Sequence, residues 1–186
     1  MLQTPFELAI EITVKEGDTS TQRGALLEAL AKTVLVALQH EYVNTAVRLT
    51  GCELDVIARE KQSDAKILVE CKAYRDKTIS ADVLTKMLGN LMIHGYSSAW
   101  LLTTAKLGKD ARGIVEGFRE KPTVSRQQLR VYEPEDLIGL LISTGQIKDP
   151  LELIIPSSLH ALQTRTLLIS DIGEFGLCPH SAPSPV

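Results

Sequence analysis

The sequence predicts an α/β fold, a mixed central sheet flanked by helices. Two observations carry this. Stretches with apolar residues at helical spacing alternate with short aliphatic or β-branched runs, in the order helix, three strands, helix, strand, helix, strand, helix. Strands separated by helices need crossovers, which put helices on the faces of one sheet, whereas neighbouring strands joined by tight turns pair antiparallel. A third observation sets the scale. At 186 residues, 44% hydrophobic and only 4% aromatic, the chain is long enough for one substantial core, and that core must be aliphatic.

The elements follow in order. Residues 5–15 alternate imperfectly and predict an edge strand or short arm, followed by a polar loop. An amphipathic helix is expected over about residues 22–40, because Leu27, Leu30, Ala31, Val34, Leu35 and Leu38 share one face. Tyr42 to Leu49 reads as a strand ended by Thr50-Gly51. Glu53 to Arg59 is a second strand and Lys66 to Tyr74 a third, with a polar turn from Glu60 to Asp64 between them. Ser80 is the expected N-cap of a helix over about 80–95, whose buried stripe is Val83, Leu84, Met87, Leu88, Leu91 and Met92. The unbroken apolar run from Ala99 to Thr104 fits a central strand covered on both faces. A helix over 108–120, a short strand from Leu129 to Tyr132 and a helix opened by Pro134 complete the pattern. After Asp149-Pro150 the periodicity is lost, and a Pro/Ser-rich tail reads as a linker.

Composition narrows the function. The three cysteines, at irregular spacing and without a CxxC pair, argue against a disulfide framework or structural zinc and for a reducing, cytoplasmic setting. No apolar run reaches the roughly 18 residues of a membrane span, and the N-terminal stretch has no signal-peptide pattern. No phosphate-loop or dinucleotide glycine motif occurs. The net charge is −3, yet residues 66–112 carry eight Lys/Arg against four acids, a local excess suited to phosphates.

The chemistry lies in Gly51-Cys-Glu-Leu-Asp55 and in Val69-Glu70-Cys71-Lys72. Side chains alternate along a strand, so Glu70 and Lys72 share a face and Cys71 turns to the opposite layer. Two hydrophobic strands that each carry charge mid-strand must bring those charges to a common partner, because buried lone charges are costly. Asp55 beside Glu70 pairs two carboxylates, which repel unless a cation bridges them. Magnesium suits one or two carboxylates, with water and phosphate completing its shell. Lys72 then stands beside the attacking water, to orient it, help deprotonate it or offset charge in the transition state. A bare Glu-x-Lys is common, and the bland reading is an ion pair on an exposed sheet face. The apolar flank Ile67-Leu68-Val69 argues against that.

At these residues the chain resembles the PD-(D/E)xK restriction-endonuclease-like superfamily, in its Mrr-like branch, and is similar to Holliday-junction resolvases. The resemblance spans about residues 22–132, with GxELD followed by VECK, and departs from the usual pattern in having Leu54 before Asp55. It implies an αβββαβ core and a metal-dependent endodeoxyribonuclease. Asp55, Glu70 and the backbone carbonyl of Cys71 would hold Mg2+, with Mn2+ as a substitute, and Lys72 would be the catalytic lysine. Glu28, on the first helix, would face the site through a water, its bland reading being a glutamate favoured by the helix dipole. Thr103, Thr104 and Lys106 would lie along the DNA backbone. From the residues themselves, Tyr74, Arg75 and Lys77, just after the motif, read either as a phosphate grip or as an inert strand-end polar cluster. The resemblance further implies DNA as partner, a homo-oligomer for duplex cleavage, a defence role, and a C-terminal regulatory or ATPase module. Residues 1–21 are then an N-terminal arm, 22–145 the nuclease domain and 146–186 an extension or linker. The competing readings are a catalytically silent DNA-binding or assembly module of the same fold, and a junction-specific resolvase. His94 reads as a packing or capping residue, Trp100 as core and Cys71 as a buried thiol.

Overall fold

In the computed structural model, residues 8–14, 17–49, 52–120, 127–147, 165–170 and 175–179 are described. The elements are β1 (Leu8–Thr13), α1 (Ser20–Ala37), β2 (His40–Leu49), β3 (Cys52–Glu60), β4 (Lys66–Lys72), α2 (Ala81–Ile93), β5 (Ser98–Thr103), α3 (Lys109–Glu120), β6 (Gln128–Tyr132), α4 (Pro134–Ser143), β7 (Arg165–Ser170) and β8 (Phe175–Pro179). The predicted α/β class holds, with four helices and a mixed five-stranded sheet in the order β2-β3-β4-β5-β6. β2–β3 and β3–β4 are antiparallel, while β4–β5 and β5–β6 are parallel across the crossovers through α2 and α3.

Local chemistry sets the helix ends. Thr19 accepts from the Gln22 N–H at 3.2 Å, and the Gln22 amide accepts from the Thr19 N–H at 3.0 Å. This reciprocal capping box starts α1 at Ser20, earlier than its apolar stripe indicates. At the far end Gln39 takes a positive φ of 61°, so the chain leaves α1 after Ala37 and β2 begins at His40. His94 is the C-cap of α2, and Gly95, at φ 67°, supplies the left-handed residue behind it.

Two apolar layers sandwich the sheet. On one face Leu27, Leu30, Ala31, Val34 and Leu35 of α1 pack on Val56, Ala58, Val69, Cys71 and Leu102, joined by Leu137, Ile138 and Leu141 of α4. On the other, Leu84, Met87 and Leu91 of α2 and Ala111 and Val115 of α3 cover Leu68, Ala99 and Leu101. Burying one such leucine contributes roughly 2 kcal/mol. Trp100 is core as expected, with its indole N–H donating to Ser98 Oγ at 2.8 Å.

A second, three-stranded sheet has the order β1-β7-β8. Here β1 runs parallel to β7, with Leu8 opposite Arg165 and Thr13 opposite Ser170. This corrects the expectation of an unperiodic linker beyond Asp149-Pro150: a short apolar run such as Thr166-Leu-Leu-Ile carries no period of its own, yet it forms β7. Residues 148–164 and the Pro/Ser tail from residue 180, like the Thr50-Gly51 turn, lie outside the described residues. Ile10 and Ile12 of β1 join the α1–α4 core layer.

One guanidinium ties β1 to the segment after β4. Arg75 contacts Glu11 Oε1 at 3.3 Å and Asp18 Oδ2 at 2.6 Å, and donates to the Ile12 carbonyl at 3.1 Å. Removing it by Arg75→Ala is expected to speed amide exchange in β1 by about three- to tenfold, with the β4–β5 amides unchanged. Unaltered β1 exchange would show that the core contacts of Ile10 and Ile12 hold the strand unaided.

Candidate active site

β4 lies between β3 and β5, and its pattern of burial is nearly continuous from Ile67 to Cys71. The antiparallel register with β3 runs from Arg59 opposite Lys66 to Val56 opposite Val69. The next step places Asp55 beside Glu70, and there a side chain enters the ladder: the Cys71 N–H donates to Asp55 Oδ2 at 2.7 Å. A strand amide facing a carboxylate is a strong, charge-assisted bond. It marks where β3 parts from β4. On the other side β4 keeps its parallel pairing with β5 through Glu70–Leu101 and Lys72–Thr103, so the catalytic candidates sit on a fixed strand.

The parting brings the predicted residues together. Lys72 Nζ lies 2.6 Å from Glu70 Oε1, 3.4 Å from Asp55 Oδ2 and 3.2 Å from the Cys71 carbonyl oxygen. All three acidic or basic side chains are largely buried, at 10% exposure for Glu70, 19% for Asp55 and 22% for Lys72. Cys71 points the other way, into the layer beneath α1, and burial pushes its thiol well above the usual range, with Asp55 and Glu28 adding to the rise. It is inert as a nucleophile.

Electrostatics follow from burial and crowding. Burial raises the Glu70 pKa and Asp55 raises it further, outweighing Lys72, which lowers it. Burial alone lowers the proton affinity of Lys72, but Glu70, by charge and hydrogen bond, and Asp55 together leave it raised. Lys72 is therefore a cation at neutral pH. Glu28, on α1, is half-buried and within electrostatic reach of the same groups. Burial raises its pKa, Asp55 adds to the rise, and Lys72 opposes it.

A glutamate with a raised pKa binds more protons folded than unfolded. Its contribution to stability is thus fully present below the ordinary glutamate range and is lost as pH rises through the raised value. Glu28→Gln is expected to abolish its share of this loss, so that the variant gains melting temperature over wild type at pH 7 and not at pH 4. An equal offset at both pH values would refute the electrostatic account of Glu28.

The remaining candidates line the loops at the ends of β4 and β5. Thr103 is fully buried, its hydroxyl donating to the Ala105 carbonyl and accepting from the Ala105 N–H. The Thr104 hydroxyl donates to the Tyr74 carbonyl at 2.9 Å, and its N–H donates to the Lys72 carbonyl at 3.1 Å. Both threonines therefore bind the two loops to each other. The Arg75 donors are engaged by Glu11, Asp18 and Ile12, as above. Lys77 is exposed with Nζ 4.0 Å from the Tyr74 ring centre, and Lys106 is exposed. Gly108 lets the loops close tightly, since a Cβ there would meet the Ile79 carbonyl at 3.1 Å. One contributor has no site signal of its own in the sequence: Lys86, one of the eight bases of residues 66–112 and on the flank of the α2 stripe, whose charge bears on Glu70.

Among the described residues no three His, Cys, Asp or Glu side chains gather as a metal cage. The converging oxygens are two carboxylates and one backbone carbonyl, all held against a single positive charge. That donor chemistry fits a hard cation that keeps waters in its shell.

A restriction-endonuclease-like nuclease fold is thus defined by the αβββαβ core and the acidic pair at its parting strands. The chain belongs to the restriction endonuclease family of Mrr-type catalytic domains, whose profile matches residues 20–131. It contains a nuclease domain, and its family acts on DNA; domains of this kind generally use divalent metals. Among solved structures, it is similar to one titled "Crystal Structure of Protein of Unknown Function AF1548", at 16% identity over 72% of each chain and a TM-score of 0.49. No functionally curated protein matches the sequence. Among the described residues, no helix is long and apolar enough to cross a membrane.

Proposed function

We propose that this chain is a divalent-metal-dependent endodeoxyribonuclease that hydrolyses DNA phosphodiester bonds. The observation that carries the reading is the convergence of Asp55 Oδ2, Glu70 Oε1 and the Cys71 carbonyl on one point, the Lys72 ammonium. Asp55, Glu70 and the Cys71 carbonyl would hold Mg2+, with Mn2+ as a substitute. When bound, the ion supplies Lewis acidity at the phosphate and a more acidic water. Despite its burial, Lys72 carries a raised proton affinity in the metal-free site, from Glu70 first and then Asp55. As an ammonium it orients the attacking water and offsets charge on the phosphorus oxygens. Glu28, with its raised proton affinity, is poised to take a proton from water on the α1 side. Lys77 and Lys106 contact the DNA backbone, while Arg75, Thr103 and Thr104 hold the loops that carry them.

The biological reading extends this proposal. The chain acts in the cytoplasm as the effector of a bacterial restriction or antiviral defence protein. Each domain cuts one strand, so duplex cleavage calls for a homo-oligomer. Control comes from a further module, regulatory or ATPase, in the full-length protein.

Supercoiled plasmid incubated with Mg2+, with Mn2+ or with EDTA tests the core of the proposal. Nicking or linearisation with either metal, and none with chelator, is the expected result. Cleavage that survives chelation would refute the metal-dependent reading. Cutting confined to a four-way junction, with linear duplex untouched, would assign the same site to a resolvase.

A further inference from the structure

The ammonium of Lys72 touches the same three oxygens that the proposed function assigns to a divalent ion. Its Nζ reaches Glu70 Oε1 at 2.6 Å, the Cys71 carbonyl at 3.2 Å and Asp55 Oδ2 at 3.4 Å. A lysine head is a compact point charge with three donors and no acceptor. Here three acceptors meet it, two of them anionic, in a place drawn largely out of solvent. The acidic pair is therefore already bridged by a positive charge that belongs to the chain.

We infer that Lys72 is the resident cation of the metal-free protein, and that a divalent ion must displace its ammonium from the three oxygens to load the site. The inference rests on the reading of the site given above. A hard ion bonds to carboxylate and carbonyl oxygens at about 2.1 Å. Held by these three oxygens at that range, it takes over the lone pairs the ammonium uses, and two cations in contact repel strongly at low dielectric. The Cys71 carbonyl and the Asp55 carboxylate cannot readily move aside: the first lies on a strand paired with β5, and the second is held by the Cys71 N–H. The lysine can, because its head rides on a flexible four-carbon stem. Metal affinity in the absence of DNA is thus set by an internal competitor, and the lysine has two positions: on the oxygens when the site is unloaded, and beside them when it is loaded.

The test is Mn2+ binding to the DNA-free protein, read from the electron paramagnetic resonance signal of free Mn2+. Lys72→Met is expected to tighten binding by about tenfold or more. Lys86→Met removes an equal charge that acts on Glu70 only at a distance, and is expected to change affinity by less than about threefold. Asp55→Asn should lose high-affinity binding. Lys72→Gln should behave as Lys72→Met does, and takes its place if the methionine variant fails to show a cooperative melt. Equal affinity in wild type and both neutral Lys72 variants would overturn the displacement while leaving the metal site in place. So would an equal gain from Lys86→Met, which would reduce the effect to general charge. No Mn2+ uptake by any of these proteins would overturn the inference together with the reading of the site beneath it.

Discussion

Lys72→Ala and Asp55→Ala are each expected to lower DNA cleavage by at least about a hundredfold, the loss typical of removing one group that stabilises charge in a transition state. The two variants should differ in stability. Asp55 accepts the Cys71 N–H at 2.7 Å, so alanine leaves a strand amide without its partner. A buried donor left unsatisfied costs about 1–3 kcal/mol. Asp55→Asn retains an acceptor oxygen and should keep most of that stability while losing cleavage. Lys72→Ala leaves two carboxylates facing each other across a largely buried gap. Like charges in such a place raise one another's proton affinity, so this variant should regain stability as pH falls. Plasmid cleavage by gel, paired with thermal melts at two pH values, reads all four outcomes. Full activity in either alanine variant would remove that residue from the mechanism.

The second large effect is on folding. Leu101→Ala is expected to cost about 2–5 kcal/mol, the range for deleting a fully buried leucine and leaving a cavity. Leu101 has no exposed surface, lies in the interior strand β5 and pairs in register with Glu70. It packs beneath α2 and α3 in one buried cluster with Leu68, Leu84 and Leu91. For a domain of this size, about 2–4 °C of melting temperature goes with each kcal/mol. Met92 is expected in the buried α2 stripe but is 72% exposed, because the helix ends at Ile93 and its last turn overhangs the core; Met92→Ala is thus the control and should stay within about 0.5 kcal/mol of wild type. A cost under about 1 kcal/mol for Leu101→Ala in a urea melt would mean the site repacks.

Much of this arrangement is legible in the sequence because it depends on short-range periods. The α1 stripe is buried from Leu27 to Leu35 as its spacing predicts, while Leu38, expected on the same face, falls at the C-cap and is exposed; the alternation Val69-Glu70-Cys71-Lys72 sorts two side chains to the core layer and two to the opening. The parting of β3 from β4 is not legible in that way. It arises because the Asp55 carboxylate takes the Cys71 N–H, a bond across 16 positions that no local pattern encodes. Arg75 illustrates the same limit. A lysine- and arginine-rich stretch reads as a phosphate grip, yet the Arg75 partners lie 64 and 57 positions upstream, in Glu11 and Asp18. Thr103 and Thr104 read as polar strand-end residues, and only the tertiary turn shows their hydroxyls spent on backbone groups. The site role of Lys86 is hidden for the opposite reason: the apolar stripe beside it dominates the helix pattern.

The parallel pairing of β1 with β7 has a consequence for how the protein is born. The partner of Leu8 is Arg165, 157 positions later in the chain. At about 5–20 residues added per second, the first strand waits some 8–30 seconds for its neighbour to leave the ribosome. Before that interval ends the five-stranded sheet already has all its strands, up to Tyr132, whereas β1 still offers an open row of N–H and C=O groups, the kind of edge that recruits other chains. Crowded polysomes, where many copies of β1 wait side by side, are the place where mispairing between nascent chains would arise.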